Sequence, residues 1–228
     1  MQRRYLTELE QSRLLSGASR VADPLAQRDY HWMAALILTG MRIQEFSRLT
    51  VGQVQRSLST GWLVSNKQFC KGRKRPNEYM VTARLRTHLV ALCKLSDELG
   101  AGLPLPDEGQ PLVWGRDIAG VAGPLSVRSY ESRLKHWAQV AGLDPRVSPH
   151  WLRHTRGMNI MRRSRGENPL MVAKIALNHS SLKSTGIYLQ MAREDFEREI
   201  QAVDGGRLPK RLARRLEAQV SGVCHGAA

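Results

Sequence analysis

Ser148-Pro149-His150-Trp151-Leu152-Arg153-His154-Thr155 opens with a helix start signal, a serine at the cap position followed by proline at the first helical position. The helix it predicts runs to about Arg163. His150 and Arg153 are three apart and therefore share a face. Both lie in the first turn, where unpaired backbone N–H groups and the positive end of the helix dipole gather. A phosphate there meets an imidazole, a guanidinium and a helix N-terminus together. Taken alone, a His-x-x-Arg pair is short, and it equally describes a core histidine beside a surface arginine.

Reading outward toward the C-terminus, Leu170 to Leu177 is a short buried helix. His179 and Tyr188 then flank Ser180-Ser181-Leu182-Lys183-Ser184-Thr185, a polar segment suited to a bend. Two further helices are predicted over roughly 185–203 and 209–220. In the second, Leu208, Leu212, Leu216 and Val220 stand four apart, a narrow apolar stripe suited to a helix groove.

Toward the N-terminus, Thr7 with Glu10 forms a capping box. Asp29 to Thr39 is a strongly apolar helix ended by Gly40, and a second helix opens near Arg42 with Ile43, Phe46 and Leu49 on one face. Gly61–Val64 and Tyr79–Thr82 read as paired strands around a basic loop, Lys67 to Asn77. Leu85 to Leu99 is a helix stopped by Gly100, residues 100–111 are a loop, and Ser126 caps a helix stopped by Gly142. The fold class is mainly α with a small antiparallel β-sheet, an α+β fold. One domain is assigned to residues 1–204, and residues 205–228 form a basic amphipathic tail.

Lys and Arg outnumber Asp and Glu by 35 to 20, a formal net charge of +15 in a chain of 228 residues. Such a charge steers the chain toward polyanions, whether nucleic acid or a membrane surface. Cys70, Cys93 and Cys224 have no CxxC or Cys/His ligand spacing, so neither a disulfide scaffold nor a zinc site is supported. The beginning MQRRYLTELEQS lacks an apolar leader core, and no run of about 18 apolar residues follows. A cytoplasmic protein without a membrane partner is the expectation. There is no GxxxxGK[ST] loop and no carboxylate cluster suited to Mg²⁺. The basic run Lys71, Arg73, Lys74 and Arg75 reads by itself as a solvated face or a contact for a polyanion's phosphates.

Three boxes in order carry a family resemblance. Thr39-Gly40-Met41-Arg42-Ile43-Gln44-Glu45-Phe46-Ser47-Arg48-Leu49 resembles the first arginine box of tyrosine recombinases, the phage integrase family. Ser148 to Thr155 resembles its HxLRH box, and Asn178-His179-Ser180-Ser181 with Ile187-Tyr188 resembles the last. The resemblance spans about residues 5–200 and implies the tyrosine recombinase catalytic-domain fold. It further implies Tyr188 as nucleophile, Arg42 and Arg153 on the non-bridging oxygens, and His150 and His179 at the phosphate. A hairpin lysine, Lys67 or else Lys71, would be the general acid. The implied activity is site-specific DNA recombination of the integrase or invertase type through a 3′-phosphotyrosine, with no metal, ATP or other cofactor. Double-stranded DNA is the implied partner, its backbone phosphates met by Lys71, Arg73, Lys74 and Arg75, with a homotetramer on two sites that is monomeric when free. Accessory DNA-bending proteins are a further expectation, as is docking of the tail on a neighbouring subunit or on its own core.

Departures from the family pattern are Arg156, Gly157 and Met158 after the HxLRH box, and Asn178 where glycine is usual. Full-length relatives also carry an N-terminal core-binding domain, so a short form lacking that domain is expected. Two other activities fit the same residues: type IB topoisomerase-like relaxation, and a non-catalytic DNA-binding regulator that keeps the fold.

Overall fold

Asp29 sits near the middle of the molecule, and its side chain is fully buried. Oδ1 accepts from Arg28 Nε (3.0 Å) and Trp32 Nε1 (3.0 Å), while Oδ2 accepts from Arg133 Nε (2.5 Å) and Trp137 Nε1 (2.9 Å). A buried carboxylate is tolerable only when both oxygens are satisfied in this way. Of these donors, Trp32 and Trp137 belong to the hydrophobic core. The computed structural model describes residues 5–70, 75–100, 108–116, 122–165 and 168–179. All of these belong to one compact unit, Met1–Met191.

Helix α1 (Glu8–Ser19) starts at the Thr7–Glu10 capping box, as read from the sequence. Helix α2 (Pro24–Thr39) begins five residues before Asp29, with Asp23 capping Ala26 N–H and proline at the first position. Its apolar surface is buried nearly all round, as expected of a central helix. It packs against α1, α5 (Ala83–Leu99) and α7 (Pro149–Arg163). Trp32 meets the Tyr130 ring edge-on at 4.9 Å, fixing α6 (Val127–Val140).

The helix predicted to open at Arg42 is shorter than its apolar spacing suggests. Helix α3 covers only Ile43–Phe46. The chain turns through Leu49 and restarts as α4 (Val51–Thr60), because Thr50 and Gln53 form a second capping box. Strands β1 (Trp62–Val64) and β2 (Glu78–Met80) pair antiparallel, with Leu63 opposite Tyr79. The second strand thus begins one residue earlier than expected and stops before Val81, because Thr82 caps α5. A second antiparallel pair, β3 (Trp114–Arg116) with β4 (Ala122–Pro124), lies outside the one sheet expected from Gly61–Val64 and Tyr79–Thr82. Helix α8 spans Pro169–Ala176. Among the described residues no helix is long and apolar enough to cross a membrane. The helices predicted over 185–203 and 209–220, and with them the tail 205–228, lie outside the described residues.

Where α2 meets α5, His31 Nδ1 and His88 Nδ1 lie 3.0 Å apart, so one ring must offer a lone pair to the other. Burial first, and His88 second, bring the His31 pKa down to about 4. A histidine whose folded pKa lies below its unfolded value near 6.5 adds stability that is full above the unfolded value. That contribution is lost as pH falls through the folded value. The free energy of urea unfolding is therefore expected to fall from pH 7 to pH 4, and less steeply in His31→Asn. Asp29→Ala is expected to cost about 3–5 kcal/mol in the same measurement at neutral pH, because it leaves buried arginine donors uncompensated.

Candidate active site

Arg153 projects from the first turns of α7 and is 4 % exposed. Its two terminal nitrogens donate to two backbone carbonyls, Gly40 O (2.5 Å) and Leu177 O (2.5 Å). Gly40 lies two residues before Arg42, and Leu177 lies two residues before His179. One guanidinium therefore gathers the three sequence boxes. Two of its five N–H donors are spent on the carbonyls.

Local structure explains why those carbonyls are available. Gly40 ends α2 with φ +66°, the left-handed conformation that glycine accepts without cost. A Cβ there would overlap the Leu177 side chain and crowd Arg156 Cγ at 3.0 Å, so the close approach of α2, α7 and α8 also demands glycine. At the end of α8, His179 N–H donates to Lys174 O (3.0 Å) and Asn178 N–H to Ile175 O (3.0 Å). These two bonds make a Schellman turn, with Asn178 at its left-handed position, φ +50°. Asparagine is the non-glycine residue best suited to that conformation. Its side chain adds a bond from Nδ2 to Glu78 O of β2 (2.9 Å). The departure from glycine therefore keeps the turn and ties it to the hairpin.

Arg42 stands at the cap position of α3, and its side chain is 30 % exposed. Its NH1 group donates to Glu45 Oε1 at 2.9 Å. Glu45 is buried and also accepts from Asn77 Nδ2 (3.2 and 3.1 Å) and from the Tyr79 hydroxyl (2.7 Å). Burial, then the Glu45 carboxylate, push the Tyr79 hydroxyl far above its ordinary range, while Arg153 and Arg42 draw it back. Both guanidinium groups thus act on one buried hydroxyl. Glu45 was missed in the sequence as a residue of the site. Its signal was the spacing Arg42-x-x-Glu45, one turn apart on α3.

The hairpin continues this connection. Ser65 N–H donates to Asn77 O (2.9 Å), and Asn77 N–H donates to Ser65 Oγ (3.1 Å). Lys67 lies two residues further on and is exposed. It is not at the end of the first strand, as expected, but opens a 3-10 turn, Lys67–Phe69. The Asn66 side chain accepts from Gln68 N–H and bends the chain there. The turn is held by Arg48 over the Phe69 ring, 5.3 Å from its centroid.

His150 is exposed on the first turn of α7, and its ring meets the ring of His154 edge-on at 4.2 Å. Ser148 occupies the cap position but makes no side-chain capping bond. Arg75 is described and exposed. Tyr188, Lys71, Arg73 and Lys74 lie outside the described residues. Among the described residues no group of three or more His, Cys, Asp or Glu is placed to hold a metal ion. Chemically, the buried guanidinium of Arg153, the part-exposed one of Arg42 and the exposed imidazole of His150 are each groups able to bind an anion.

The chain matches the model of the phage integrase family over residues 4–195. It is 31% identical over 193 residues to tyrosine recombinase XerD of Xanthomonas campestris pv. campestris, covering 84% of this chain and 56% of that protein. To tyrosine recombinase XerC of Vibrio campbellii it is 29% identical over 182 residues, covering 80% of this chain and 51% of the other. The chain thus spans about half the length of these relatives. Among solved structures, the XerH site-specific recombinase bound to palindromic difH substrate, a post-cleavage complex, superposes with TM-score 0.65 at 19% identity, covering 88% of this chain and 53% of that one. XerA recombinase superposes with TM-score 0.60 at 21% identity, covering 94% and 64%. These likenesses establish the fold read from the three boxes.

Tyr79→Phe removes one of the partners of a buried carboxylate. It is expected to cost about 1–3 kcal/mol in denaturant unfolding. It should also broaden the Arg42 side-chain N–H resonance, because Glu45 is then less firmly held.

Proposed function

The chain belongs to the phage integrase family, and from that membership we propose that it breaks and rejoins DNA as a tyrosine-type site-specific recombinase. The observation that best supports this reading is the double anchor of Arg153 on Gly40 O and Leu177 O, which ties the HxLRH helix to the residues just before Arg42 and His179.

Tyr188 attacks a backbone phosphodiester of double-stranded DNA. Its oxygen forms a 3′-phosphotyrosine as the bond to the 5′ oxygen breaks. Tyrosine is mostly protonated at neutral pH, its reference pKa being about 10, so its proton must be accepted. His150 and His179 manage that proton and touch the phosphate. Lys67, or Lys71 in its place, gives a proton to the departing 5′ oxygen. Arg42 and Arg153 hold the non-bridging oxygens with forked, permanently charged donors. In the second step a 5′ hydroxyl from another strand attacks the phosphotyrosine and releases Tyr188. Each step exchanges one phosphoester for another, so the cycle consumes no ATP, and these side chains supply its charge and proton transfers without a metal.

Lys71, Arg73, Lys74 and Arg75 contact backbone phosphates on this reading and carry no base identity. Strand exchange needs two duplexes and hence a homotetramer on two sites, monomeric when free, in the cytoplasm. Accessory DNA-bending proteins bring the sites together.

The test uses nicked duplexes carrying randomised sites, which lose the cleaved end and trap a covalent adduct on a denaturing gel. Wild type is expected to trap DNA, and Tyr188→Phe to trap none. Arg42→Lys is expected to slow trapping by about a hundred- to a thousandfold, the usual loss for one donor to a developing oxyanion. If wild type binds these duplexes but traps none, the reading fails in favour of a DNA-binding regulator.

A further inference from the structure

Away from the three boxes, a cavity of about 550 Å³ opens between α1, α2, α5, α7 and α8. That volume lies within the range of small-molecule sites. Its apolar lining includes Leu15, Ile37 and Ile160. The polar side carries Arg84, Arg156 and Arg163. Arg163 is committed to Glu8, at 2.7 Å, and Glu8 is the carboxylate that lines the cavity. Arg156 has no such partner. Its Nε is buried without a hydrogen bond, and no ion pair reaches it among the described residues. Its stem lies beside Gly40. Burial holds its guanidinium below its ordinary pKa.

A half-buried cation with an unsatisfied donor is costly to the free protein. Among the described residues that line the cavity the one carboxylate is Glu8, and it is paired with Arg163. A carboxylate brought in by a ligand offsets the cost, because a guanidinium binds one through paired N–H donors. An apolar body attached to that carboxylate would displace water from Leu15, Ile37 and Ile160.

We propose that this cavity binds a small organic carboxylate with an aliphatic or aromatic body, the carboxylate pairing with Arg156 and the body lying against Leu15, Ile37 and Ile160. The site is separate from the DNA chemistry and stands whether or not Tyr188 is a nucleophile. It also gives a role to the arginine that departs from the family pattern after the HxLRH box.

The experiment is calorimetric titration of the full chain with octanoate and with phenylbutyrate, using acetate as the bare carboxylate. Saturable one-to-one binding of at least one of the two, about tenfold or more tighter than acetate, is expected. Arg156→Met is expected to weaken it about tenfold or more. Ser16→Trp fills the cavity from α1 while leaving every charge in place, and it too is expected to abolish binding; it decides the matter if Arg156→Met does not fold. No saturable binding by either probe overturns the proposal. So does acetate binding as tightly as the larger acids, or unchanged binding in Ser16→Trp, which would put the anion elsewhere on this basic surface.

Discussion

The bonds from Arg153 to Gly40 O and Leu177 O are the constraint on which the site rests. A buried guanidinium is stable only if its donors find acceptors, and backbone carbonyls at two helix ends are unpaired by nature. Three segments, one of them more than a hundred residues before the other two, meet because each lacks something the others provide. Helix α7 brings a cation, while α2 and α8 bring orphan carbonyls. The left-handed residues Gly40 and Asn178 then turn the chain sharply enough that Arg42 and His179 follow close behind.

The second support is the carboxylate of Glu45, which joins Arg42 to Asn77 and Tyr79 of the β1–β2 hairpin. Asn178 ties the end of α8 to the same strand through Glu78 O. The hairpin that carries Lys67 is thus fixed from two sides, through the Arg42 corner and through the His179 turn. A lysine on an exposed 3-10 turn keeps a defined origin without a partner holding its side chain.

Much of this was legible in the sequence, for identifiable reasons. Capping boxes, a proline at a helix start and glycines at helix ends are local signals, and Thr7, Pro149, Gly40 and Gly142 appear where they were read. The breaks came where one local signal overrode a longer pattern. Ile43, Phe46 and Leu49 keep helical spacing, yet Thr50 caps a new helix and cuts the first short. Strands β3 and β4 are three residues each and rich in glycine, so they show no alternation to read. The arginines and histidines of the site are visible as motifs, whereas Glu45 carries only the i,i+3 spacing to Arg42, and its burial with Asn77 and Tyr79 comes from tertiary structure.

The convergence of Arg42 and Arg153 can be measured without DNA. Orthovanadate, a phosphate-sized anion, would be titrated while the Nε–H resonances of both arginines are followed by NMR. A single shared pocket requires both resonances to shift together with one dissociation constant. Two different constants, or movement of only one resonance, would mean that the arginines serve separate surfaces, and the common site described here would be wrong.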